Sequence, residues 1–194
     1  MPLVNISDML HHAHQHRYAV GAFDVVSLDF IEGVMAAAES LRAPVILSLA
    51  ESHFEFFDFE LLMAAVERAA ERSTVPVAIH PDHGSSLESA VRGINQGCTG
   101  VMVDASSLPL DENIARTREV VEMARGCGVP VEGELGYVPG VEARMQHGIP
   151  GSSCMPPSRK LGGMSRRPVW TSWPSPSVPC TDACRESRSW IFSA

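Results

Sequence analysis

The sequence predicts an α/β protein on the (β/α)8 barrel plan, and three observations carry the prediction. Short apolar runs alternate with amphipathic helical segments along residues 1–142, at a spacing of roughly 25–30 residues. The runs are continuously apolar, as strands are when both faces of a parallel sheet are covered. Each run ends on or near an acidic residue: Asp24, Glu51, Asp82, Asp104 and Glu134. In an open doubly wound sheet such residues gather at one switch point. Here every strand supplies one, which is the barrel pattern. No Gly-x-Gly-x-x-Gly follows the first strand, which weighs against a dinucleotide-binding fold.

The elements follow in order. Residues 18–23 read as a strand, and Leu28 to Leu41 as a helix with Phe30, Ile31, Val34, Met35 and Ala38 on one face. Residues 44–50 form a second strand. Phe59 to Arg72 form a second helix, with Leu61, Leu62, Ala65, Val66 and Ala69 at helical spacing. Residues 75–79 are a third strand, and Ser86 to Gln96 a third helix capped by Ser85 or Ser86. A fourth strand spans residues 100–104. The helix from Leu110 to Arg125 stops at Gly126-Cys127-Gly128, and residues 129–135 make the fifth strand. This amounts to about five βα units, an incomplete barrel, since a full one needs about 250 residues.

Composition bounds the function. Of 194 residues 45% are hydrophobic, yet no apolar run approaches the roughly 20 residues of a membrane span. The N-terminus lacks a basic stretch followed by an apolar core, so no signal peptide is expected. Five cysteines without zinc-finger spacing point to a reducing, cytoplasmic setting. Residues 1–142 carry a net charge of −13, which disfavours nucleic acid as a partner, and residues 143–194 carry +5. That second part holds 10 Ser and 7 Pro in 52 positions and shows no strand–helix alternation, so its composition predicts disorder.

Two motifs carry the chemistry. His80-Pro81-Asp82-His83-Gly84 follows the third strand, and Glu132-Gly133-Glu134-Leu135-Gly136 completes the fifth. An imidazole beside a carboxylate at a strand end suits a metal ligand next to an acid/base group. On the alternation of an extended segment His80 points away from His83, so it is expected to pack rather than ligate, and Glu132 is expected to be a supporting residue. Asp104 has a plain alternative role as a cap of the following turn. His11, His12, His14 and His16 look like a metal tract but are expected to be solvated on an N-terminal helix and loop.

Together with Val20-Gly21-Ala22-Phe23-Asp24, Pro44-Val45-Ile46-Leu47 and Gly100-Val101-Met102-Val103-Asp104, these motifs resemble the N-terminal half of the class II, metal-dependent ketose-bisphosphate aldolases. That family includes the fructose- and tagatose-bisphosphate enzymes. The chain departs from the pattern at Asp24, where the family usually has Asn, at Pro81 for Leu, and at Pro139 for Gly.

The resemblance implies Asp82 as the acid/base for the C4 hydroxyl proton and His83 as one of three imidazole ligands of a catalytic Zn2+. It assigns Asp104 and Glu134 to an accessory position, where the ion moves or a second divalent cation sits. A Lewis acid then stabilises the enediolate left by carbon–carbon cleavage, and no Schiff-base lysine is required. Residues 1–142 contain none. The implied partner is a sugar bisphosphate, with no nucleic acid and no membrane, and the full-length form is expected to be a homo-oligomer. Two competing readings are a non-catalytic half-barrel that pairs with another chain and a barrel metallohydrolase. The second is disfavoured because Ala22-Phe23-Asp24 lacks a His-x-His pair.

The resemblance also explains residues 143–194. If one nucleotide is lost near the codon for Glu142, Val169 to Phe192 decodes in the alternative frame, with permitted codons, as GVDFLAVSVGTVHGRMQGEPKLDF. This resembles the sixth strand and following loop of these aldolases, and its VHG histidine is a metal ligand in the family. Ala143 to Ser153 likewise gives GEDAARHPGEL. The expectation is therefore a partial aldolase barrel at 1–142 and an out-of-frame, non-native tail at 143–194. Such a chain lacks the second and third metal-binding histidines and is expected to hold zinc weakly and to be inactive, because catalytic zinc normally takes three protein ligands.

Overall fold

The computed structural model describes residues 2–136 and 188–192. Among the described residues, five helices and six strands run in the order α1 (Ile6–His16), β1 (Gly21–Asp24), α2 (Leu28–Leu41), β2 (Val45–Ala50), α3 (Phe59–Arg72), β3 (Val77–Asp82), α4 (Leu87–Asn95), β4 (Val101–Val103), α5 (Leu110–Arg125), β5 (Val131–Leu135) and β6 (Arg188–Phe192). A short 3-10 turn, Glu51–His53, follows β2. The result is an α/β fold in which β1, β2 and β3 pair in parallel, as do β4 and β5.

The helices start where the sequence offers caps. Ser27, Asp58 and Ser86 each accept hydrogen bonds from N–H groups of the first turn of α2, α3 and α4. Asp58 takes two, from Glu60 and Leu61 at 3.0 and 3.1 Å. Asp58→Ala is therefore expected to lower stability by about 1 kcal/mol. Urea melts of the two proteins check this, and an unchanged midpoint would show that the cap contributes nothing to stability.

Alternation along each strand sorts the side chains onto two faces. Val45, Leu47 and Leu49 of β2, Val77 and Ile79 of β3, Val101 and Val103 of β4 and Val131 of β5 form the main core with α2–α5. Ile46 and Ala78 face the other way and join Ile6 and Met9 of α1 in a separate apolar cluster. Thus α1 covers the N-terminal ends of the inner face, and the polar residues lie further along the same face. Some expected core positions are instead open: Phe30 and Leu61 sit on the outer sides of their helices, and β1 is exposed throughout as an edge strand. Ile31 and Leu62 take the buried places.

β3 runs three residues beyond its expected end, so that His80 and Pro81 lie within the strand. The backbone N–H and C=O of Ile79 face β4, where they meet Thr99. Pro81, two residues on, faces the same way and has no N–H to give. Consistent with this, β3 and β4 share only the isolated bridge Gly84↔Val103, and the strands divide into two ladders.

The expectation of a tail without regular structure is corrected at one point. β6 lies antiparallel on β5, pairing Val131 with Phe192 and Leu135 with Arg188. An edge strand is a template for any extended segment, and Arg188-Ser189-Trp190-Ile191-Phe192 is rich in strand-forming types. The remaining tail, Pro139 and the boundary at 142 lie outside the described residues.

Candidate metal centre

Three side chains from three successive strand ends converge. The His83 Nδ1 atom lies 3.0 Å from Asp104 Oδ2 and 3.5 Å from Glu134 Oε2. One ligand atom from each residue falls within 4.8 Å of the others. His83 reaches this position because its φ is +51°. Continued extension would send it to the helix face after Asp82, and the left-handed turn brings it back to the inner face. Such a conformation in a non-glycine residue is uncommon and clusters at functional sites.

The surroundings hold each member in place. Glu51, at the end of β2, accepts from the backbone N–H of Ser85 and the hydroxyl of Ser89, fixing the turn that follows His83. Asp104 Oδ1 accepts from the Ser106 backbone at 3.0 Å and from its hydroxyl at 2.6 Å. The capping role weighed for Asp104 is thus present, carried by one oxygen while the other faces His83. On α5, buried Asn113 donates to the carbonyl of Glu134 at 2.9 Å and accepts from Thr117 at 3.2 Å. Nothing in sequence spacing singles out Asn113; only its burial on a helix that packs on β5 does.

The electrostatics divide the two carboxylates. Burial pushes Glu134 upward, the negative Asp104 beside it adds to that, and its pKa reaches about 8. Asp104 is raised by burial but lowered more by the hydrogen bonds from His83 and Ser106, and lies below the ordinary carboxylate range. Glu134 Oε2 is buried without a hydrogen-bond partner. An orphaned carboxylate oxygen facing an imidazole and an ionised aspartate is a donor set that a divalent cation satisfies.

Asp82 lies at the end of β3, its Oδ1 accepting from the His83 N–H at 3.2 Å. Asp24, at the end of β1, is held above the usual range by burial and then by the Asp82 charge. His80 is not with His83. Its Nε2 sits 3.2 Å from Glu132 Oε2, one step below the cluster, with His80 buried and Glu132 partly buried. Burial disfavours the imidazolium, but Glu132 outweighs it, and the pKa of His80 is raised. His12 and His16 stack on each other at the surface, and His12 bonds Tyr18, so the histidine tract of α1 does not contribute to the cluster.

The chain is an α/β protein with acid and imidazole groups at the C-terminal ends of parallel strands, the place where barrel folds commonly build metal-assisted sites. Comparison with known proteins places it further. The family model for class II fructose-bisphosphate aldolase matches residues 4–155. The chain belongs to that family.

It is 46% identical over 145 residues to a Bacillus subtilis protein named as a probable fructose-bisphosphate aldolase, covering 73% of this chain and 51% of the relative. It is 41% identical over 150 residues to the fructose-bisphosphate aldolase of Giardia intestinalis, covering 77% of this chain and 46% of the relative. The YdjI aldolase from Escherichia coli K12 superposes with a TM-score of 0.65 at 33% identity, covering 66% of this chain and 50% of that structure. The chain spans about half the length of the curated relatives it matches. Among the described residues no helix is long and apolar enough to cross a membrane.

Proposed function

We propose that this chain carries the N-terminal half of the active site of a ketose-1,6-bisphosphate aldolase, on an incomplete (β/α)8 barrel. The observation that carries the reading is the convergence of His83, Asp104 and Glu134 on one position. These three would hold the divalent cation, Zn2+ by family, with an accessory position at Asp104 and Glu134. When bound, the cation supplies Lewis-acid stabilisation of the negative charge left on the three-carbon fragment.

The chain's own residues do the rest. Asp82 accepts the C4 hydroxyl proton as the carbon–carbon bond breaks, and returns it in the condensation direction. The hydrogen bond from the His83 N–H orients its carboxylate. Asn113 and Glu51 fix the backbones that carry Glu134 and His83. The products of the family reaction are dihydroxyacetone phosphate and an aldehyde phosphate.

This reading makes residues 143–194 an out-of-frame segment, so that the chain alone lacks the other two imidazoles and does not turn over. A coupled assay of the purified 194-residue protein with fructose 1,6-bisphosphate and Zn2+ is expected to show no cleavage above the protein-free rate. Measurable turnover would sink the claim of inactivity. Sequencing around codon 142 tests its cause: restoring one base should open a frame of roughly another hundred residues, the remainder of a barrel.

The alternative, a half-barrel that pairs with another chain, draws on the exposed apolar groups Phe23, Leu28, Phe30 and Leu41 along β1 and α2. A soluble, metal-free dimer in sedimentation would favour it.

A further inference from the structure

Below the proposed cation site lies a polar pair, His80 buried and Glu132 partly so, that aldol chemistry does not use. His80 stands two residues before Asp82 on β3, and Glu132 two before Glu134 on β5. Residues two apart on a strand share a face and stand about 7 Å apart along it. The pair therefore forms a layer directly under the cation donors, above the apolar layer of Ile46 and Ala78 that α1 covers.

β3 and β5 are not neighbours. β4 lies between them in chain order and contacts both, so the His80–Glu132 contact spans two strand spacings, about 10 Å of backbone separation. Only long side chains reaching from both sides close that gap. The contact also joins the two ladders at the place where Pro81 denies them a continuous backbone seam. His80 is 5% exposed, and a polar side chain buried against a carboxylate is seldom more stable than apolar residues of the same volume. Its presence therefore calls for a role in placement rather than in bulk stability.

We infer that His80 and Glu132 form a strut between the two ladders that sets the spacing of His83 from Asp104 and Glu134. They act as positioning residues, not as ligands. The inference rests on the reading that those three residues hold a divalent cation.

The test is a Co2+ titration of the metal-free 194-residue chain, followed by the visible d–d absorption, alongside thermal melting without metal. Wild type, His80→Gln, Glu132→Gln and the double variant are compared. Each single variant is expected to weaken Co2+ binding by about tenfold or more and to alter the band shape. The double variant should be no worse than the poorer single one, since the strut is lost once. Singles that melt earlier but bind Co2+ with unchanged affinity and spectrum would reduce the pair to packing and overturn the inference.

If the wild type itself binds no Co2+, the cation reading fails on that titration alone. The metal-free melting cycle then decides the strut: sub-additive losses support it and additive losses overturn it.

Discussion

Glu134→Gln is expected to stabilise the metal-free chain at pH 8 and to abolish its divalent-cation binding. The sign follows from linkage. An unfolded chain binds the Glu134 proton with an ordinary affinity near 4.5, whereas the folded chain holds it up to about 8. Between these values the native state carries more protons than the unfolded state, so stability falls as pH rises through that window. Below pH 4.5 the group is neutral in both states and the penalty is absent.

Glutamine imitates the neutral acid, including its ability to donate to Asp104, without a proton to lose. The gain at pH 8 is of the order of a few kcal/mol, or roughly 5–15 °C in Tm for a chain of this size. Melting curves at pH 4.5 and pH 8 with EDTA present check it. Equal shifts at both values would show that the Glu134 proton is not the source. The same reasoning makes cation binding release a proton and strengthen as pH rises toward 8.

If the proposed frame change near codon 142 is real and its reversal yields a complete barrel, Asp82→Asn in that restored protein is expected to lower kcat for fructose 1,6-bisphosphate cleavage by about 10²–10⁴-fold. Zinc content should be unchanged, because the asparagine oxygen still accepts from the His83 N–H and leaves the turn intact. The two readouts separate the acid/base role from a merely structural one. A loss of bound zinc parallel to the loss of rate would place Asp82 in the metal shell instead. Retained activity would remove it from the proton transfer.

Much of the site was legible because strand ends and their side-chain types are local properties. The helices at 28–41, 59–72 and 110–125 have the bounds that apolar periodicity predicts. Asp82, His83, Asp104 and Glu134 stand at strand ends, as the apolar runs predict, but so do Asp24 and Glu51, and only the family resemblance gave the four their expected roles. Periodicity fails where a local exception decides the geometry. Extended alternation turns His83 outward, and only its left-handed φ brings it to Asp104. The alternation that sets His80 and His83 on opposite faces is overturned by the same turn, which leaves both on the inner face in successive layers, and which residue answers His80 depends on two strands meeting across a third. Asn113 was invisible for a related reason, since its partner is a backbone carbonyl 21 residues away. The exposure of Phe30 and Leu61 reflects helices whose apolar arcs are wider than the surface available to cover them.

Pro81 gives the site a mechanical character. Because the residue facing β4 has no amide hydrogen to share, His83 belongs to one ladder while Asp104 and Glu134 sit with the other. A cation bound among them would act as a rivet across a joint that the backbone fastens at Ile79–Thr99 and Gly84–Asp104 but not at Pro81. Part of its binding energy would go into clamping the two leaves together, so the observed affinity would fall short of what the three donors could give in a rigid cradle. The ion would then be a structural fastener as well as a chemical one, and its loss would loosen the same joint that its binding closes.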